Sequence, residues 1–218
     1  MYHKSANSYL CRQYLLLNYK CYYMRLFSVS LLIVATSFTI LSCGGSDKKA
    51  AEQNEVPAAP IKASKNSDAL NQSFAKLLGS YYEVKDALVA SDTAKANTAA
   101  ATLAVNADSL MVNEIIDSSG LLKTTASNFA ATISGSAKGL MGEKELEAKR
   151  KEFQMISEAL YDLTRTIRYD QEKIYHQFCP MAFNDAGAYW LSKEEQIKNP
   201  YFGSKMLSCG ETKDSLNF

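Results

Sequence analysis

Between Ser67 and Leu88 the apolar positions fall at three- and four-residue steps: Leu70, Phe74, Leu77, Leu78, Tyr81, Val84 and Leu88. That spacing lays one apolar stripe along a helix. Ser67 or Asp68 can cap its start by accepting from exposed amides. Ser91-Asp92 breaks the pattern and can cap a second helix over 93–112. There Ala96, Ala100, Leu103, Ala107 and Leu110 or Met111 share a face, and the small residues permit close helix approach. Asp117-Ser118-Ser119-Gly120 marks the next interruption. A third, more weakly patterned segment covers about 118–139, with Leu121, Leu122, Ala126, Phe129, Ile133 and Ala137 inward. The fourth, Glu143 to Arg168, has the clearest stripe: Leu146, Phe153, Ile156, Leu160, Leu163 and Ile167. Its charge run, Glu143–Glu152, reads as a solvated face.

Four such helices with short connections predict an up-down four-helix bundle over residues 67–168, an all-α fold. From Tyr169 the helical period stops. Aromatics cluster at Tyr169, Tyr175, Phe178, Phe183, Tyr189, Trp190, Tyr201 and Phe202, with prolines and glycines between them. Residues 169–218 therefore read as a mostly irregular segment packed on the bundle. Short strands fit at Lys173–Phe178 and Ala188–Leu191.

The N-terminal part has a different pattern. Leu26 to Leu41 is an uncharged apolar run preceded by Arg25 and followed by Ser42-Cys43-Gly44-Gly45. A basic flank, a short apolar run and a small residue at the cut make a secretory signal. Ile40-Leu41-Ser42-Cys43 resembles a bacterial lipobox, in which the cysteine is lipidated and becomes the first mature residue. A plain membrane anchor or a cleaved signal with a chance cysteine are the competing readings. Residues 1–42 are then a leader, within which Met24-Arg25 is a better start than Met1. Residues 43–66, rich in Ala, Lys, Ser, Glu and Pro, read as a tether. The expected location is the bacterial cell envelope, lipid-anchored and facing the periplasm.

Composition narrows the function classes. Lys plus Arg number 24 and Asp plus Glu 23, a net charge of +1, which argues against a nucleic-acid partner. Hydrophobic residues at 47% exclude wholesale disorder. There are 2 histidines, His3 and His176. No phosphate-cradling glycine loop, no nucleophile elbow and no paired carboxylates in an apolar setting are present. The sequence carries no enzyme signature.

The C-terminal segment holds the soft donors. Cys179-Pro180-Met181 opens it, with His176 three residues earlier, and Met206-Leu207-Ser208-Cys209 closes it. Thiolates and thioethers are polarizable and favour Cu(I) or Ag(I) over hard ions. Two Cys and two Met, with His176 as a fifth donor, suit such an ion and suit zinc poorly. Other readings stay open. Cys179 and Cys209 can instead form a disulfide, Met181 and Met206 can be core filler, and His176 can serve only as a surface or hydrogen-bonding residue.

Four segments carry a resemblance: Cys179-Pro180-Met181, Gly187-Ala188-Tyr189-Trp190-Leu191, Asn199-Pro200-Tyr201-Phe202-Gly203 and Met206-Leu207-Ser208-Cys209-Gly210. Together with Tyr81-Tyr82, Lys85 to Val89 and Phe153 to Tyr161, they make the stretch from about Asp68 to Gly210 similar to an uncharacterised bacterial envelope domain family. Its members occur as small lipoproteins and as an extra domain on periplasmic adaptor subunits of copper and silver efflux pumps. The resemblance implies envelope heavy-metal handling, with an efflux adaptor as partner, and identifies no ligands. The resulting expectation is a lipoprotein that binds Cu(I) or Ag(I) through Cys179, Met181, Met206, Cys209 and His176. Trp190, Tyr189, Tyr201 and Phe202 pack around the site. The alternative is a protein-interaction lipoprotein with a structural Cys179–Cys209 disulfide.

Overall fold

The structure, a computed structural model, describes residues 65–218. The expected leader, the expected lipidation site Cys43 and nearly all of the expected tether lie outside the described residues. Four long helices come first: α1 (Asp68–Val89), α2 (Thr93–Asp108), α3 (Leu121–Gly142) and α4 (Leu146–Ile167). Each packs on the next, and α1 also meets α4. A three-stranded antiparallel sheet follows, built from β1 (Ile174–Cys179), β2 (Ala188–Ser192) and β3 (Glu211–Leu216) in the order β2-β1-β3. The fold is thus mostly helical with a small C-terminal sheet. No helix among the described residues is long and apolar enough to cross a membrane.

Capping explains where the helices begin. Ser67 Oγ accepts from Leu70 N at 3.2 Å, and Asp92 Oδ1 accepts from Lys95 N at 3.0 Å. Helix α3 is preceded by Gly120, which sits at φ +72, a left-handed conformation that glycine adopts without steric cost. The Asp117 carboxylate reaches forward to accept from Leu122 N (2.7 Å) and Lys123 N (3.2 Å). It fills the capping role that Gly120 has no side chain to perform.

The α1 stripe is buried throughout, and of the expected α4 residues only Leu146 is half-buried rather than buried. Helix α2 ends at Asp108, short of the expected 112. Ser109 Oγ turns back to the Val105 carbonyl at 2.7 Å, and a 3-10 turn at Val112–Glu114 follows. Leu121 and Leu122 lie on the surface rather than in the core, because the Asp117 cap starts α3 before the helix reaches its neighbours. The α3 core is Ala126, Ala130, Ile133, Ala137 and Leu140.

The charge run at the start of α4 is not wholly a solvated face. Lys149 is 1% exposed and Arg150 2%. Lys149 Nζ donates to Asn97 Oδ1 (2.7 Å) and to the Leu140 carbonyl (2.8 Å), so one ammonium ties α2, α3 and α4 together. Buried cations are tolerated only when hydrogen-bonded in this way.

The C-terminal segment is more ordered than expected. Strand β1 pairs with β2 from Tyr175↔Ser192 to Cys179↔Ala188. It also pairs with β3, with a register shift between His176 and Gln177. Strand β3 is polar and exposed except at Leu216, which is why no alternation announced it. Tyr81 joins helices and sheet. Leu191 N donates to its hydroxyl at 2.9 Å, and that hydroxyl lies 2.8 Å from Ser157 Oγ on α4.

Candidate functional site

Strand β1 delivers Cys179 to its last position, fully buried. Cys209 arrives on the loop before β3 and is half-buried. Their sulfurs lie 3.3 Å apart, close enough for one thiol to donate to the other. That shared hydrogen bond, and secondarily burial, pushes the Cys209 thiol up from its ordinary value. The structure holds both residues as free thiols.

Several elements fix Cys209 in place. Cys209 N donates to the Met206 carbonyl at 3.1 Å, so Met206 and Cys209 are the first and fourth residues of one turn. Asn199, fully buried, donates from Nδ2 to the Cys209 carbonyl at 2.7 Å. Its Oδ1 accepts from Tyr201 N at 2.8 Å and from Phe202 N at 3.3 Å, and its own N–H donates to the Leu207 carbonyl at 2.9 Å. One side chain therefore locks the Asn199–Phe202 loop to the thiol loop. Gly210 has φ +139, and a Cβ there would sit 2.8 Å from the Phe178 carbonyl and 2.9 Å from the Trp190 ring. Only glycine lets the chain pass Trp190 so closely.

The loop is in turn anchored to the helices. Arg150 Nε donates to the Pro200 carbonyl at 2.9 Å. Its other nitrogens reach Glu147 Oε1 (2.6 Å) and, more loosely, the Leu88 carbonyl and Ser91 Oγ (both 3.4 Å). Tyr201 packs edge-on to Trp190, tilts against Phe153 of α4, and its hydroxyl donates to the Tyr189 carbonyl.

The two cysteines are brought together; the other expected donors are placed differently. Met181 follows Pro180 in the turn after β1 and is 45% exposed, so it is not core filler. After it the chain passes through three left-handed residues, Phe183, Asn184 and Asp185, which reverse it toward β2. Met206 is partly exposed at the start of the Cys209 turn. His176 is not at the thiols. Side chains alternate along a strand, which places His176 and Phe178 on one sheet face and Gln177 and Cys179 on the other. His176 stacks between Tyr161 (centroids 3.9 Å apart) and Tyr189 (4.5 Å). Burial there holds its pKa below the usual imidazole value, partly opposed by Asp214. Of the four expected packing residues, Trp190 lies against Gly210 beside Cys209 with Tyr201 edge-on to it, Phe202 is half-buried, and the Tyr189 ring lies on the His176 face.

Sequence reasoning missed Asn199 and Arg150 as positioning residues. Asn199 lies in one of the segments that carry the family resemblance, but nothing in one sequence marks an asparagine as a loop lock. Arg150 was hidden by its charged neighbours.

Among the described residues no group of three or more His, Cys, Asp or Glu converges to hold a metal ion. The available set is two thiols with two thioethers on adjoining turns. Two soft sulfurs fit a monovalent soft ion and do not satisfy zinc, which takes four protein ligands in closed sites.

The arrangement defines a mostly helical domain with a thiol pair formed by the last residue of β1 and the loop before β3. Residues 77–172 match the family model described as "Protein of unknown function (DUF3347)", so this stretch is similar to an uncharacterised domain family. The match runs from within α1 to just past α4 and ends before Cys179. No curated protein and no solved structure matches the chain.

Proposed function

We propose that this is an envelope lipoprotein whose Cys179–Cys209 pair takes up Cu(I) or Ag(I), to buffer the ion or deliver it to an efflux adaptor. The four long helices would form an up-down bundle that serves as scaffold, and lipid on Cys43 would tie the domain to the membrane. The single observation that supports the reading is the 3.3 Å contact between the two sulfurs, one buried and one half-exposed. The buried thiol retains the ion while the half-exposed one admits it. Met181 and Met206 are the additional donors, each on a turn that adjoins a thiol. His176 drops out of the proposed set. No reaction is assigned, and the protein acts as a binder.

Binding replaces thiol protons with the ion. The raised Cys209 pKa means that the proton must be displaced at neutral pH, so affinity increases with pH. Asn199, Gly210 and Arg150 hold the thiol loop in place, which limits the ordering cost on binding.

The same contact favours a second reading, a structural disulfide. The bridge would span 30 positions and contribute about 3–4 kcal/mol in the loop-entropy account. The experiment that separates the two is an anaerobic Cu(I) titration of reduced protein against a competing chelator, beside a Cys179→Ser/Cys209→Ser variant. One-to-one binding that the variant loses supports metal handling. Equal, weak binding by both proteins overturns it and leaves the staple.

A further inference from the structure

Eight large apolar side chains are strongly exposed among the described residues, and five of them fall between positions 105 and 122. Met111, Ile116, Leu121 and Leu122 belong to the connection from α2 to α3 and its first helical turn. Ile116 is 87% exposed and Leu121 68%. Isolated surface apolar residues are ordinary, but a cluster marks an interaction site. The loop is held, not loose: Asp117 binds Ser119 N, Leu122 N and Lys123 N, and Ser73 Oγ accepts from Met111 N at 3.2 Å.

This end of the domain is also where the chain enters it. Lys65 lines a groove with Ile115, Ile116, Leu122, Ile167 and Arg168. Asn66 Nδ2 donates to the Ile167 carbonyl at 3.0 Å, which fixes the entry point against the end of α4. Lys65 follows Cys43 by 22 positions. Lys65 and Arg168 line the groove beside Ile116 and Leu122, and Lys123 is the next residue along the chain; of the connection's two acids, Asp117 is engaged in capping α3 and Glu114 is exposed.

We infer that this tether-proximal end docks on the bilayer surface, with Ile116 and Leu121 at the headgroup–acyl boundary and the three cations toward anionic headgroups. The inference rests on the lipid-anchor reading above. Apolar side chains inserted at the interface and cations facing anionic lipid are the two terms that hold a domain on a membrane surface. A lipid on Cys43 makes that contact local. Docking also sets the orientation of the thiols. Arg150 fastens the Pro200 carbonyl near the C-terminal end of α1, a 22-residue helix. The Pro200 loop, to which Asn199 locks the thiol loop, is therefore held roughly 30 Å from the docked end.

Methionine oxidation reads this directly. Met111 (44% exposed), Met155 (49%) and Met181 (45%) are similarly open in the protein itself. The lipidated full chain is reconstituted in phosphatidylethanolamine–phosphatidylglycerol vesicles, recovered by flotation, and treated with peroxide. Peptide mass spectrometry compares it with the soluble Cys43→Ala protein. Docking predicts that vesicles slow Met111 about fivefold relative to Met155, and that Ile116→Asp/Leu121→Asp abolishes the protection. Both altered side chains are exposed, so the fold is retained. Met111 reacting at the Met155 rate on floated protein overturns docking alone. Protection of Met111 in the soluble protein that grows with its concentration overturns docking in favour of a second copy of the chain. Protein that carries no lipid and does not float overturns the anchor and the docking with it.

Discussion

The Asn199 side chain holds the backbone of Cys209: its Nδ2 donates to the Cys209 carbonyl at 2.7 Å, while its Oδ1 accepts from the Tyr201 and Phe202 amides of its own loop. Asn199→Ala leaves these buried groups unpaired and should cost about 3 kcal/mol of stability. It should also raise the alkylation rate of Cys209 in native protein, since the thiol loop loses its lock. Denaturant unfolding and timed alkylation check both; unchanged alkylation would mean that the turn from Met206 suffices.

Arg150 and Glu147 form an ion pair of unequal parts, one side chain buried and the other 67% exposed. Arg150→Met removes the donor to the Pro200 carbonyl inside the protein, so we expect a loss of about 3 kcal/mol. Glu147→Gln should cost under about 1 kcal/mol, because its partner keeps its backbone acceptors. Parallel urea melts of the two variants test the asymmetry.

His176 should make stability fall in mild acid. Its folded pKa is depressed, chiefly by burial between Tyr161 and Tyr189. The unfolded chain therefore takes up a proton near its reference value of about 6.5 while the folded protein resists. Stability is complete above that value and declines as the pH falls through it toward the folded pKa. Glu172, whose pKa is raised by burial, contributes in the opposite sense at lower pH. Thermal melts between about pH 5 and about pH 7.5 should show the decline. His176→Phe, which keeps the stack, should flatten it, and a variant with the same slope would assign the effect elsewhere.

Oxidation should lock the thiol loop. The disulfide form of Cys179 and Cys209 should unfold about 3–4 kcal/mol later than the reduced form and should bind no Cu(I). In the reduced form, apparent Cu(I) affinity should climb as the pH goes from about 6 to about 8, because binding displaces thiol protons. Flat affinity over that range would place the ion away from these thiols.

Much of the helical part was legible because its signal is periodic. The α1 and α4 stripes follow directly from spacing, and Ser67 and Asp92 mark their helices by residue type. Leu121 and Leu122 misled because apolar residues in a first turn look like core residues until the neighbours are in place. Lys149 and Arg150 misled because a charge run says nothing about which members find partners inside. Strand β3, exposed and polar, carries no alternation. At the site, the types and spacing of Cys179 and Cys209 could be read, but their contact is a tertiary fact. His176 shows the converse: three residues along a strand from Cys179 is an odd step, and an odd step reverses the face.

The most direct test of the account is copper K-edge absorption on the one-to-one Cu(I) complex of the reduced protein. The expected shell is sulfur alone, from Cys179 and Cys209 with or without the two methionines, with no imidazole scattering. An imidazole pattern that disappears in His176→Phe would contradict it, because the ion would then sit on the opposite face of the sheet from the thiol pair.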